Sequence, residues 1–284
     1  MKGLIFSIEE FALFDGEGIR VNVFLKGCPM RCQWCHNPEG WENRVQIIRN
    51  QNLCTECGIC GHICQNPENC VLCKQCIIHC PRGARRESGK WMEADELASA
   101  LKRYRPIFEQ TGGGVTFSGG EVLMQPDFLL EALEKCSFTN RVIETSGLGD
   151  SEKWEKILRQ TDFVYYDLKV MDSERHKQYT GVRNELILQN AKILIRSGVP
   201  FVIRVPFIHG VNTDGENLRA LSEFLKDAEN MKYVELLEYN KMAGAKYKLV
   251  NLEYAYNFTG PTEEEYALAD RILNEYGIRH IVTH

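Results

Sequence analysis

The chain has 284 residues, of which 44% are hydrophobic and 26% are charged, and its formal net charge is −5. These values are typical of a globular protein with a substantial core, built as one large domain or two small ones. The mild negative charge argues against a broad nucleic-acid-binding face. The first residues lack the apolar region of a signal peptide, and no apolar run reaches the length of a membrane helix. We therefore expect a cytoplasmic protein without a membrane partner.

The first strand predicted along the chain covers residues 19–26 and leads directly into a loop that holds Cys28, Cys32 and Cys35. A [4Fe–4S] cluster takes four ligands, and thiolates are its usual protein ligands. Three cysteines at C-x3-C-x2-C spacing would leave one iron open to a small molecule, much as catalytic zinc sites keep a position open. A zinc knuckle and half of a disulfide framework are the alternatives for this loop, although zinc favours C-x2-C pairs and nothing in the chain looks secreted.

The next segment is rich in cysteine, because eleven of the twelve cysteines lie between residues 28 and 80. Such usage in a cytoplasmic chain indicates metal or redox chemistry. We predict that residues 51–85 form a small insert in a discontinuous domain of residues 1–50 and 86–284. With little apolar content, the insert needs its metal to fold. The remaining cysteine, Cys136, is expected to be a small buried apolar residue.

Two cysteine runs in the insert share the spacing C-x2-C-x2-C-x3-C and resemble a bacterial two-cluster ferredoxin. In such modules the fourth cysteine of each run binds the other cluster. The resemblance implies one cluster on Cys54, Cys57, Cys60 and Cys80 and a second on Cys64, Cys70, Cys73 and Cys76. Only five residues separate the runs, which leaves this pairing open. Zinc bound by pairs of C-x2-C motifs is the alternative.

After residue 89 the predicted elements alternate regularly. Strands are predicted at residues 115–117, 141–144, 163–166, 201–205, 233–237 and 278–282. Helices are predicted at residues 93–104, 126–136, 151–159, 184–196, 216–227 and 263–277. The fourth helix should end at Gly198, and the last should begin with a capping box at Thr262. Alternating strands and helices indicate a parallel sheet, so we predict an α/β fold with a partial (β/α)6 barrel.

Unusual polar groups follow the predicted strands, at the ends where parallel α/β barrels carry their chemistry. In chain order these are the cysteine loop, Gly119-Gly120-Glu121, Glu144-Thr145, Asp167-Leu168-Lys169, Arg204 and Tyr239-Asn240. We therefore expect one rim of the barrel to hold all of them. Taken alone, the Gly-Gly-Glu run could be a plain strand-to-helix turn, and Lys169 and Arg204 could be solvated charges.

The cysteine loop resembles the signature of radical S-adenosylmethionine (SAM) enzymes, in which an aromatic residue, here Trp34, precedes the last cysteine. In that family the open iron binds the amino and carboxylate groups of SAM. The wider resemblance is to glycyl radical enzyme activating enzymes, in the subgroup with a ferredoxin-like insert, and it covers nearly the whole chain. The motifs that carry it are Asp15-Gly16-x-Gly18-Ile19-Arg20, Cys35-His36-Asn37, Ser118-Gly119-Gly120-Glu121, Asp167-Leu168-Lys169 and Glu235-Leu236-Leu237-x-Tyr239.

This resemblance implies a radical SAM oxidoreductase with three [4Fe–4S] clusters, one that binds SAM and two in the insert. Reductive cleavage of SAM would produce a 5′-deoxyadenosyl radical, which takes a hydrogen from one glycine of a partner glycyl radical enzyme. We expect a flavodoxin- or ferredoxin-type electron donor and a monomeric protein. A radical SAM enzyme that acts on a small molecule and a ferredoxin-like electron carrier with a scaffold domain are the alternatives.

At the level of residues, the resemblance implies that Cys28, Cys32 and Cys35 hold the catalytic cluster and that Asp15 meets the partner. It assigns SAM binding to Trp34, Cys35, His36, Gly119, Gly120, Glu121, Glu144, Thr145, Asp167, Leu168, Lys169, Arg204 and Asn240. In the pyruvate formate-lyase activase, an Asp-Thr pair helps to bind a monovalent cation beside SAM. Here the pair is Glu144-Thr145, one methylene longer, which leaves the cation open. Asn240 stands where that enzyme has a histidine.

Overall fold

The computed structural model describes residues 1–64 and 70–283, so the connector of residues 65–69 between the two cysteine runs lies outside the described residues. The strands are Lys2–Ala12 (β1), Arg20–Leu25 (β2), Gln46–Arg49 (β3), Arg85–Ser88 (β4), Lys90–Glu93 (β5), Gly114–Gly119 (β6), Asn140–Thr145 (β7), Phe163–Asp167 (β8), Phe201–Phe207 (β9), Met231–Glu238 (β10) and His280–Thr283 (β11).

The α-helices of the described ranges are Ile59–Ile63 (α1), Gln75–Ile78 (α2), Ala94–Lys102 (α3), Arg105–Thr111 (α4), Pro126–Lys135 (α5), Ser151–Leu158 (α6), Ser173–Thr180 (α7), Glu185–Ser197 (α8), Gly215–Leu225 (α9) and Glu263–Glu275 (α10). Short 3-10 helices cover Pro38–Gly40, Val122–Met124 and Lys241–Val250. No helix within residues 1–64 and 70–283 combines the length and the apolar content needed to cross a membrane.

The described strands form one large sheet and one small sheet. The large sheet has the order β11-β10-β9-β8-β7-β6-β2-β1-β5. From β11 to β2 every neighbouring pair is parallel, whereas β1 pairs antiparallel with both β2 and β5. The sheet is open, because β11 and β5 form its two edges. The predicted α/β fold with a partial barrel is therefore confirmed.

The core lies between the sheet and helices that each present one apolar side to it. Helix α3 buries Leu97 and Leu101, four residues apart, as the helical period requires. Two predicted helix boundaries are also confirmed. Gly198 ends α8 with a left-handed φ of 78°, and Thr262 and Glu265 form the capping box of α10.

Several elements were not predicted from the sequence, because their residues show no regular hydrophobic pattern. Strand β1 pairs with β2 through two register shifts, so its apolar residues do not alternate regularly. Helix α7 buries only His176 and Thr180, which is too few for a helical period. Strands β3 and β4 pair from Gln46 opposite Ser88 to Arg49 opposite Arg85. They bring the two ends of the cysteine-rich segment together.

The C-terminal end of helix α7 holds the cysteine loop through backbone hydrogen bonds. The carbonyls of Tyr179 and Thr180 accept hydrogen bonds from the backbone N–H groups of Gln33 (3.0 Å) and Arg31 (2.7 Å). Inside this helix, His176 is 1% exposed, and its Nδ1 lies 2.7 Å from the carbonyl oxygen of Val182. Burial lowers the pKa of His176 below its ordinary value of 6.5, because the imidazolium form loses its hydration.

We predict that this histidine makes the protein acid-sensitive. A base whose pKa is depressed in the folded state stabilises folding above its unfolded pKa, and that stability is lost as pH falls through the folded pKa. The melting temperature should therefore drop as pH is lowered from about 7.5 to about 5.5, and His176→Gln should weaken this dependence. Anaerobic thermal unfolding at both pH values tests this. Equal slopes for the two proteins would contradict it.

Candidate active site

One cavity of about 260 Å³ lies at the carboxyl ends of the parallel strands. Its lining includes twelve of the predicted site residues, namely Cys28, Cys32, Trp34, Cys35, His36, Gly119, Gly120, Glu121, Glu144, Thr145, Asp167 and Lys169. The apolar side chains of Met30, Trp41, Pro206 and Leu237 also line it, together with the polar residues Asn37, Ser118 and Ser146. Polar groups that are distant in sequence thus converge here with an apolar face of the kind that a purine ring requires.

The cysteine loop is fixed at its first cysteine and in its middle by backbone hydrogen bonds. The N–H of Cys28 donates to the carbonyl of Trp41 (2.9 Å), and α7 holds the middle of the loop. Burial raises the pKa of all three thiols, to about 12 for Cys32. These thiols therefore stay protonated near neutral pH unless a metal displaces the protons.

The three thiols match the donor set of an iron–sulfur cluster, since soft thiolates are the protein ligands that such clusters prefer. Within the described ranges, no three Cys, His, Asp or Glu side chains are close enough together to hold one metal ion. A [4Fe–4S] cluster places each ligand on a different iron, and so it needs its thiolates further apart than a single ion does. If it binds here, Cys28, Cys32 and Cys35 hold it.

Glycine allows three backbone segments to meet beside the cysteine loop. The N–H of Gly27 donates to the carbonyl of Gly40 (2.7 Å), and the N–H of Glu121 donates to the carbonyl of Gly27 (2.8 Å). A Cβ at Gly120 would lie 2.5 Å from the Gly27 oxygen and 2.6 Å from the Gly40 oxygen. Only glycine fits between these two carbonyls, so Gly120 is required by packing.

We predict that Gly120→Ala damages the site through its backbone. Both clashing atoms are carbonyl oxygens held by hydrogen bonds, so the segments must separate, at a cost of at least ~1–3 kcal/mol. The variant should melt at a lower temperature and lose iron from the cysteine loop after anaerobic reconstitution. Gly215→Ala is the matched control, because its Cβ would meet only the end of the Arg219 side chain, at 3.0 Å. Full iron content and stability in Gly120→Ala would contradict this reading.

Glu121 is 2% exposed, and its carboxylate accepts hydrogen bonds from four groups. The donors are the N–H of Leu123 (3.0 Å), the hydroxyl of Thr145, and the N–H (2.9 Å) and hydroxyl (2.5 Å) of Ser146. Burial nevertheless raises the pKa of Glu121. The carboxylate thus ties the end of β7 to the Gly-Gly-Glu segment and sets the shape of the cavity wall.

Lys169 is the cation of the cavity. Its Nζ lies 2.7 Å from Oδ2 of Asp167, and its side chain is 8% exposed. Burial alone would lower the pKa of Lys169, but the carboxylate of Asp167 outweighs that effect and raises it. Lys169 therefore stays charged and can meet an anionic ligand group or balance thiolates at the cysteine loop.

Arg204 lies behind the cavity rather than in its lining. Its guanidinium stacks on the Tyr165 ring at 3.8 Å from the centroid and donates to Glu144 (2.5 Å) and Glu235 (2.8 Å). It also donates to the carbonyl of Phe14 (2.9 Å). Burial would lower the pKa of Arg204, but the two glutamates raise it instead. Arg204 therefore holds the loop before β2 against the wall that carries Glu144.

The other predicted site residues lie at different positions. Asp15 faces this same network, with Oδ1 3.6 Å from Arg204, and burial and Glu144 together raise its pKa. Leu168 is 3% exposed in the core, and Asn240 is exposed and caps a 3-10 helix by accepting from the N–H of Met242 (2.9 Å). Neither Leu168 nor Asn240 lines the cavity.

Several functional contacts were missed in the sequence. Ser146 binds Glu121, Tyr165 stacks on Arg204, and Glu235 neutralises it. Position could have indicated Ser146, since it follows Thr145 directly at the end of a strand. Nothing local marks Tyr165 or Glu235 as partners of Arg204, because each pairing joins different strands.

Two further cavities lie in the cysteine-rich segment. The first, of about 310 Å³, is lined by Cys54, Cys57, Cys60 and Cys80 together with other residues. The second, of about 320 Å³, is lined by Cys60, Cys64, Cys70 and Cys76, and Val250 and Asn251 border it from outside the segment. Cys136 lies apart from both, fully buried in the core at the end of α5, where it was predicted to be apolar filling.

The family model of the radical SAM superfamily matches residues 22–221. These residues include the cysteine loop and the strands that form the cavity, as far as β9. The chain belongs to the radical SAM superfamily. This radical SAM protein is 39% identical to the choline trimethylamine-lyase activating enzyme of Oleidesulfovibrio alaskensis, over 95% of this chain and 92% of that relative. It is 36% identical to the trans-4-hydroxy-L-proline dehydratase activating enzyme of Clostridioides difficile, over 93% and 94% of the two chains.

Solved structures agree with this assignment. A domain of a pyruvate-formate lyase-activating enzyme from Bacteroides vulgatus superposes with a TM-score of 0.52 at 32% identity, covering 61% of this chain and 100% of that one. A radical SAM methyltransferase from Sphaerobacter thermophilus superposes with a TM-score of 0.55 at 15% identity, over 98% of this chain and 76% of that one, which concerns the fold alone. The prediction of a radical SAM activating enzyme is confirmed.

Proposed function

We propose that this radical SAM protein activates a glycyl radical enzyme by removing one hydrogen atom from a glycine α-carbon. The observation that carries this proposal is the convergence of Cys28, Cys32 and Cys35 with Gly120 and Lys169 on one cavity at the strand ends. When bound, the iron–sulfur cluster supplies the electron that splits SAM into methionine and a 5′-deoxyadenosyl radical. That radical takes a hydrogen atom from the glycine and becomes 5′-deoxyadenosine, leaving the glycine with the unpaired electron.

The residues of the chain orient the cofactor and exclude water from it. Lys169 provides a buried positive charge for the SAM carboxylate, and the Gly119–Gly120 backbone allows close approach to the amino group. The apolar wall, with Trp34, Pro206 and Leu237, fits the adenine. Because a primary carbon radical attacks most C–H bonds, selectivity depends on such positioning. A monovalent cation stays a prediction, and Arg204 already places a positive charge on Glu144.

The loop before β2 has exposed apolar residues, which favour a protein as the substrate. Leu13 and Phe14 are 61% and 83% exposed, and they directly precede Asp15. Arg204 donates a hydrogen bond to the Phe14 carbonyl, so this apolar edge, formed by Leu13 and Phe14, is held against the cavity wall. We assign Asp15 and this edge to contact with the partner.

The insert is proposed to carry two further [4Fe–4S] clusters. The residues that line the first cavity include all four ligands expected for one cluster, and those that line the second include three of the other four. We assign residues 51–85 to this domain, with residues 1–50 and 86–284 as the barrel domain.

The two clusters would pass electrons from a flavodoxin- or ferredoxin-type donor to the cysteine loop. Residues 44–48, 250 and 251 of the barrel domain line the cavity of the second cluster, whereas Arg49 is the barrel residue in the lining of the first. We therefore assign the second cluster as the relay next to the barrel. We place the protein in the cytoplasm as a monomer that meets its partner transiently.

The test is anaerobic incubation with SAM, a reductant and a panel of candidate glycyl radical enzymes, followed by electron paramagnetic resonance. The relatives are named for different partner enzymes, so the panel should include lyases, decarboxylases and dehydratases. We expect one partner to gain a glycyl radical with release of 5′-deoxyadenosine, and its glycine-to-alanine variant to gain none. Turnover of a small molecule, with no radical on any protein, would favour the alternative enzyme class.

A further inference from the structure

Arg85 lies at the junction of the two cysteine-lined cavities. It is the first residue of β4, and pairing with Arg49 on β3 fixes its backbone. The two cavities have Cys60, Gly61 and Arg85 in common. Of these three, Arg85 alone carries a permanent charge, so one guanidinium borders both spaces.

The Nε atom of Arg85 is buried and has no hydrogen-bond partner among the described residues. A buried guanidinium N–H without an acceptor is unfavourable, and such donors in native proteins normally have a partner. Arg85 lines the two cavities that the cysteines also line. The missing acceptor is therefore expected inside one of them.

Arg85 lies beside cysteines of both cavities. Cys80 lines the first cavity and Cys76 lines the second, and Arg85 lines both. The backbone N–H of Ala84, the residue before Arg85, donates to Sγ of Cys80 (3.2 Å). The proposed pairing places Cys76 and Cys80 on different clusters, so Arg85 borders a ligand of each.

We propose that Arg85 is a shared positioning residue of the two insert clusters, which donates its Nε–H to a cluster sulfur and raises both reduction potentials together. Reduction adds negative charge to a cluster, and hydrogen bonds to sulfur and a nearby cation favour the reduced state. Because one guanidinium borders both clusters, it shifts their two reduction potentials in the same direction. It therefore does not widen the difference between them. This inference rests on the proposed function, in which the insert holds two [4Fe–4S] clusters.

The test is an anaerobic redox titration followed by electron paramagnetic resonance. It uses the full-length chain with Cys28, Cys32 and Cys35 changed to alanine, so that only the insert clusters contribute. Arg85→Gln is compared with Arg86→Gln, which removes the same charge from the neighbouring exposed position of β4. Arg85→Lys keeps the charge and removes the guanidinium donor. Iron and sulfide content is measured for every variant.

We expect Arg85→Gln to disfavour reduction of both clusters by about tenfold, which is about 59 mV for a one-electron couple. Arg86→Gln should cause a much smaller shift, and Arg85→Lys an intermediate one. If Arg85→Gln loses its clusters, the Arg85→Lys titration decides. Unchanged potentials in the loaded variants, or a shift of one cluster alone, would overturn the role of Arg85. Zinc or no iron in the unsubstituted insert would instead overturn the proposed insert clusters.

Discussion

Cys32→Ala is expected to reduce the formation of 5′-deoxyadenosine to background. The thiol is 8% exposed and lines the cavity with Cys28 and Cys35, so its loss leaves two ligands for a cluster that needs three from the chain. The measurement is 5′-deoxyadenosine and methionine released from SAM by the anaerobically reconstituted protein with excess reductant. Iron content should fall by roughly the four irons of one cluster and leave the insert loaded.

Cys136→Ala is the matched control for this prediction. Cys136 is also buried, but it packs in the core at the end of α5, away from the three cysteine-lined cavities. Its loss should lower stability slightly, by about 1 kcal/mol, and leave SAM cleavage intact. Substantial 5′-deoxyadenosine formation by Cys32→Ala would refute the assignment of the cysteine loop. Equal loss in both variants would show a folding defect instead.

Lys169→Met is expected to weaken SAM binding by about 10- to 150-fold, because a charge-assisted hydrogen bond contributes about 1.5–3 kcal/mol. Methionine keeps much of the side-chain volume, so the cavity should retain its shape. The change also removes the cation that lies 2.7 Å from Asp167 in the unsubstituted protein, so the carboxylate of Asp167 is left without a counter-charge. The dissociation constant of SAM, measured by anaerobic equilibrium dialysis, tests this directly.

Lys156→Met serves as the control, since Lys156 is an exposed residue of α6. It should bind SAM as the unsubstituted protein does. A second comparison separates charge from shape, because Lys169→Arg restores the charge and should recover part of the affinity. Unchanged SAM affinity in Lys169→Met would contradict a role of Lys169 at the SAM carboxylate.

The sequence was informative wherever a local pattern has one physical cause. The spacing of Cys28, Cys32 and Cys35 and the alternation of strands with helices were sufficient to predict the fold and the end of the sheet that carries the site. The residues of Gly119–Glu121 and Asp167–Lys169 follow strands directly, so parallel topology brings them together.

The remaining features depend on contacts across the sheet that no local pattern records. Arg204 is predicted to lie beside SAM, and its hydrogen bonds to Glu144, Glu235 and the Phe14 carbonyl could not be read from the sequence. The orphaned Nε of Arg85 likewise becomes visible only when β3 and β4 pair and two cavities form around it. Helix α7 was missed because it packs mainly through His176 and Thr180.

The most direct test of the central claim asks whether SAM binds to iron at the cysteine loop. Electron–nuclear double resonance on the reduced, full-length protein can detect SAM labelled at its carboxylate oxygen or amino nitrogen. We predict hyperfine coupling from both labels, and none in Cys32→Ala. Zinc at Cys28, Cys32 and Cys35, or a reduced cluster there that shows no coupling to either label at saturating SAM, would contradict it.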